Sequence, residues 1–74
     1  MNPETLKIIN SAKSQIKSLG YKVKAIILVD CYGDEETYKP NSKRAIWAID
    51  SAEEVCGIKR IFANFNNDII VELN

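Results

Sequence analysis

Asp30, Asp34, Glu35 and Glu36 crowd into one short stretch, directly behind the apolar run Ile26-Ile27-Leu28-Val29. Carboxylates at the end of a strand stand where open α/β sheets hold ligands. They are the ligand type that Mg²⁺ and Ca²⁺ take. The spacing matches no calcium loop, however, and a catalytic Mg²⁺ site draws its ligands from several elements. The expectation is therefore a solvated acidic loop, with no resident metal and no cofactor.

A basic block follows. Lys39-Pro40-Asn41-Ser42-Lys43-Arg44 stands where a helix would begin. Free backbone N–H groups at a helix start, joined by Lys43, Arg44 and the Ser42 hydroxyl, suit a phosphate or carboxylate. No glycine-rich loop precedes them. Trp47 lies just beyond, on what would be the polar face of that helix, among Lys43, Asp50, Ser51 and Glu54. A tryptophan placed so is a favoured interface anchor, and Tyr32 and Tyr38 in the preceding segment could extend the aromatic surface.

The chain has no histidine. That removes Ser-His-Asp and Cys-His nucleophilic sites, histidine acid–base chemistry and histidine-ligated zinc. Cys31 and Cys56 have no short spacing and read as two free thiols. Cys31 lacks a neighbouring cation to lower its pKa, and Cys56 reads as a small core residue. With 74 residues there is also little structure from which to build a closed pocket. The chain is expected not to be an enzyme.

The elements that must position these groups follow from pattern. Asn2-Pro3-Glu4 is a helix-start signal. Leu6, Ile9, Ala12, Ile16 and Leu19 then share one stripe at helical spacing, widened by Ile8, and Gly20 ends the helix. This predicts a helix over 4–19. Residues 22–30 read as a strand whose Ile26–Val29 core is apolar on both faces. Residues 31–41 read as a polar loop. Asn41 or Ser42 can cap a second helix reaching Gly57, with Ala45, Ile49, Ala52 and Cys56 along one face and Ile46 beside them. Residues 43–50 also alternate as a strand would, with a short helix from Ser51, but the longer helix is favoured. After Gly57, two strand-like segments flank Asn66-Asn67, a good tight-turn pair. A two-residue loop there would set Phe62 opposite Val71 and Ile61 opposite Glu72, although the register stays open.

The expected fold is α+β: a single small domain over 1–74 in the order α-β-α-β-β. It has a three-stranded mixed sheet, two helices on one face and a C-terminal β-hairpin. The bare face would expose some of Ile26, Leu28, Phe62 and Ile70, a patch that invites self-association or a protein partner.

Within this frame the stretch from Ala45 to Phe65, with Ala52-x-x-Val55-x-Gly57-Ile58-x-x-Ile61, resembles the second half of BON domains, small α/β modules linked to phospholipid surfaces. The resemblance implies a strand–helix–strand unit. The glycine-bearing strand motif expected before the helix is replaced here by the acidic loop, and no function is carried over.

Ten Lys and Arg balance ten Asp and Glu. A general nucleic-acid binder would be clearly basic, so nucleic acid is not the expected partner, although the lysines of the first helix keep it as a third reading. The charges run in blocks: residues 1–29 are basic, 30–38 acidic, 39–44 basic and 50–54 acidic. Pairing between neighbouring elements is the simplest expectation. Hydrophobic residues are 46% of the chain and charged residues 27%, the balance of a globular protein. No apolar run approaches the roughly 20 residues that span a bilayer. The chain opens without an apolar signal region, and no membrane association and a cytoplasmic location are expected. The functional expectation is a non-catalytic interaction module of the regulator or inhibitor type. It would bind a protein or itself, as a homo-oligomer, through Trp47, Tyr32, Tyr38, Asp34, Glu35 and Glu36. The alternative is an anion-binding module using Ser42, Lys43 and Arg44.

Overall fold

The computed structural model describes residues 1–74. Asn2 starts the first helix by accepting the Glu4 N–H on Oδ1 at 2.9 Å, and Pro3 fills the first turn. The helix α1 runs Pro3–Ser18. Its buried stripe is Thr5, Ile9, Ala12 and Ile16, whereas Leu6, Ile8 and Leu19 stay exposed. The stripe is turned because the first turn of α1 docks on the second helix. There Thr5 is buried and donates its hydroxyl hydrogen to the Glu53 carboxylate.

Strand β1 is Ile26–Val29 and strand β2 is Glu35–Tyr38, paired antiparallel. β2 lies inside the stretch expected to be a loop, and it makes the sheet four-stranded rather than three-stranded. The order along the chain is therefore α-β-β-α-β-β. Helix α2 spans Lys43–Val55, which settles 43–50 as helix, and Ser42 caps it by accepting the Ala45 N–H at 3.2 Å. Ala45 and Ile49 are fully buried, but Cys56 is exposed at the C-cap and is no core residue. Strands β3 (Ile58–Ala63) and β4 (Ile69–Leu73) complete the sheet, whose order is β2-β1-β4-β3. β1 and β4 are parallel neighbours at the centre, so the parallel partner of β1 is the last strand of the chain, not the strand after α2.

That order follows from composition. The two central strands, IILV and IIVEL, are the most apolar, and the edges, EETY and IKRIFA, carry the charges. Both helices cover one face, and a single core forms between them: Ile9, Ala12 and Ile16 from α1, Ala45 and Ile49 from α2, and Ile26, Leu28, Ile69 and Val71 from the sheet.

The two hairpins close by the same five-residue turn. Asp30 Oδ1 accepts the N–H groups of Tyr32 and Asp34, and Gly33 takes a φ of 84°. Asn64 Oδ1 likewise accepts from Asn66 and Asp68, with Asn67 at a φ of 65°. The second turn is thus longer than a two-residue loop, and it fixes the register: Ile61 faces Val71 and Phe62 faces Ile70. The shift by one residue moves Ile61 to the core side and Phe62 to the open side.

Candidate functional site

Parity along the strands decides what the open face carries. Ile26 and Leu28, expected to lie partly exposed, are buried against the helices. Their neighbours Ile27 and Val29 point the other way and stand half-buried. Register carries Ile27 into a row Thr37–Ile27–Ile70–Phe62 across all four strands. The next row is Glu35–Val29–Glu72–Arg60. Nothing in the chain covers these rows. Arg60 forks onto Glu72, with Nε–Oε2 at 2.6 Å and Nη2–Oε1 at 3.1 Å, and its guanidinium lies 5.1 Å from the Phe62 ring centroid. The pair holds Glu72 below the usual carboxylate range and Arg60 above its ordinary value. It is solvent-exposed and contributes little to stability. Its effect is to frame an apolar centre with one charged edge.

The aromatic residues picked out by sequence do not form one surface. Trp47 is 72% exposed on the outer side of α2, where it lines a groove of about 260 Å³ with Met1, Ile46, Lys43 and Asp50. Tyr32 is 88% exposed at the tip of the β1–β2 turn. Tyr38 is half-buried beneath α2 and donates its hydroxyl hydrogen to Glu36 at 2.5 Å. That hydrogen bond, with desolvation second, raises the Tyr38 pKa.

Asp30, Asp34 and Glu36 line one cleft of about 160 Å³ between the sheet and α2, together with Leu28, Ala52 and Leu73. Asp30 is engaged in shaping its turn, and no three acid or thiol groups stand close enough together to hold a metal ion. At the start of α2, Ser42 and Arg44 share a groove with Tyr38 and Lys39, while Lys43 faces the Trp47 groove instead. The Ser42 hydroxyl is already engaged, capping the helix and donating to the Lys39 carbonyl at 3.0 Å. The three residues chosen for anion binding are thus only partly assembled.

The charges are arranged differently from expectation. The molecule has two ion pairs, Met1 ammonium to Asp50 and Arg60 to Glu72, so the sequence blocks do not neutralise one another. They separate into poles instead. β1 and β4 run one way, and β2 and β3 the other. The chain therefore crosses the molecule once per element, and blocks that alternate in sign at successive element ends collect at opposite poles. Lys22 and Lys24 precede β1, Lys39 follows β2, Lys43 and Arg44 open α2, and Lys13 and Lys17 lie in the last part of α1. All fall at one pole, where Asp68 precedes β4 and Glu36 lines the groove of Lys39 and Arg44. The acidic turn 30–34, Glu53 and Glu54 at the end of α2, and Glu72 fall at the other, with Lys59 and Arg60 of β3 among them.

Sequence reasoning missed two features. One is Ile27 and Val29 on the open face, which no local signal separates from Ile26 and Leu28, since all four are apolar. The other is the joining of α1 to the β2–α2 loop, where Lys13 Nζ donates to the Pro40 carbonyl at 3.1 Å. No local signal announced it. No helix is long and apolar enough to cross a membrane. No protein-family model matches the chain, and neither does any curated protein or solved structure.

Proposed function

We propose that the chain is a small non-catalytic interaction module, binding another protein or a second copy of itself through the open face of its sheet. The observation that carries this is the row Ile27–Ile70–Phe62, large apolar side chains aligned across three strands with no layer over them. Exposed apolar patches of this kind mark interaction sites. The bare face alone has a footprint on the order of 300 Å², from strand spacing and rise. Stable complexes bury about 800 Å² per partner. Contact confined to the sheet therefore gives weak, micromolar self-association, and a tighter complex must also engage the flanks. Trp47 on the outer side of α2 is a second, separate anchor of the same module.

The reading is tested by sedimentation equilibrium at tens of micromolar, together with a binding screen against proteins of the native host. The folded variants Ile70→Thr and Trp47→Ala serve as comparisons. Ile70→Thr keeps a β-branched side chain on the face, and it should weaken association about tenfold or more. A wild-type chain that is monomeric throughout, with no binding partner lost in either variant, defeats the proposal.

A further inference from the structure

We infer that the cationic pole binds single-stranded nucleic acid, gripping the phosphates with lysine and stacking bases on Tyr21 and Phe65. None of the cations at this pole takes part in an ion pair. Three of them line a shaped cleft rather than a flat surface. The bond from Lys13 to the Pro40 carbonyl closes α1 onto the β2–α2 loop, leaving about 240 Å³ lined by Lys13, Lys17, Lys22, Tyr21 and Asn41.

Two aromatic rings stand at the same pole. Tyr21 is 57% exposed between Lys17 and Lys22, and Phe65 is fully exposed. The Phe65 turn is tied to the lysine segment by the Lys24 N–H, which donates to the Asn67 carbonyl at 3.0 Å. Neither ring packs against the core cluster. A basic groove with exposed aromatic rings is what unpaired strands require, since every base offers a π face for stacking and every linkage a negative charge. A duplex hides its base faces, and an acidic polypeptide has none, so the rings decide between occupants that the charge alone would not separate.

Zero net charge does not oppose this. α1 has 16 residues and spans about 24 Å between the poles. The Debye length at physiological salt is about 8 Å. The acidic pole is thus screened from a strand bound at the basic one. The first turn of α2 also carries Lys43 and Arg44 and no acid, against the helix dipole. Charges kept against local stability are expected where function uses them.

The test is fluorescence anisotropy with a labelled oligothymidine of about 20 nucleotides at about 50 mM salt. Competitors are unlabelled oligothymidine and polyglutamate of matched length. Four phosphate contacts would give about a 50-fold loss of affinity between 50 and 200 mM salt. Lys17→Glu with Lys22→Glu should abolish binding, and Tyr21→Ala with Phe65→Ala should weaken it about fivefold or more. These side chains are exposed, and circular dichroism verifies that each variant folds. Ile70→Thr, on the sheet face, should leave binding unchanged, which keeps this inference separate from the interaction proposed for that face. No binding at 50 mM salt overturns the inference. So does binding indifferent to the lysine reversals, or displacement by polyglutamate with no loss in the aromatic variant, since that identifies an acidic polypeptide as the occupant.

Discussion

Glu53 ties the two helices together through one carboxylate. It accepts a hydrogen bond from the buried Thr5 hydroxyl and another, at 2.9 Å, from the Asn2 N–H. The Thr5 bond first and the Asn2 bond second hold Glu53 below the usual carboxylate range, with desolvation opposing them. A carboxylate depressed in the folded state adds stability that is present above its unfolded pKa, about 4.3, and is lost as pH falls through the lower folded value. Urea denaturation should therefore show stability falling on acidification below about pH 4.3. Glu53→Gln should remove part of that slope. Thr5→Ala should cost about 1.5–3 kcal/mol near neutral pH, the range for a hydrogen bond to a charged group. A Thr5→Ala protein as stable as the parent would show that this contact contributes nothing.

Among the elements, α2 is the one whose sequence works against itself. Its first turn holds Lys43 and Arg44 without an acid, and its last turn has no basic residue. Both ends oppose the dipole. Arg44→Glu should therefore stabilise the fold by about 0.3–1 kcal/mol at low salt, read as a higher denaturation midpoint with an unchanged m-value. A loss of stability would mean that Arg44 makes a structural contact this reading lacks. α1 behaves oppositely, with Glu4 in its first turn and Lys17 in its last, as an ordinary stabilised helix would have. The edge strands also show a division of labour. β2 is four residues long and carries Glu35 and Glu36, and β3 carries Lys59 and Arg60 beside a register irregularity. Short, charged or irregular edges discourage further strands from adding on, which leaves the sheet's open face as its available surface.

For the whole molecule, the separation of charge into poles has a thermodynamic consequence. Like charges outnumber opposite ones at each end, and only two ion pairs form. Added salt screens the repulsion more than it weakens attraction. Raising NaCl from about 20 to about 300 mM should raise the Tm by about 2–4 °C, equivalent to about half a kcal/mol for a domain of this size. Scanning calorimetry measures it. A Tm that falls with salt would indicate that attractive pairs dominate after all.

Much of the scaffold was readable along the chain. Asn2-Pro3 and Ser42 set the helix starts through capping that needs only near neighbours, and the apolar periodicity of α1 and α2 marked both helices. The strands at 26–29, 58–63 and 69–73 followed from β-branched runs between turns. β2 was hidden because Glu35-Glu36-Thr37-Tyr38 has no apolar alternation, and its strand conformation comes from pairing with β1 across the Gly33 turn. Cys56 looked like core because helical spacing reports a face and not how far the covering layer extends. Trp47 was legible as exposed, but its separation from Tyr32 and Tyr38 was not. The sequence by itself determined both helices and the three apolar strands, the absence of histidine chemistry and the sign of each charge block. Only the tertiary structure decided that the blocks sort into two poles, that Ile27 and not Ile26 faces outward, and that Lys13 meets Pro40. The physical reason is that these depend on register and chain direction, which are set by contacts between residues far apart in sequence.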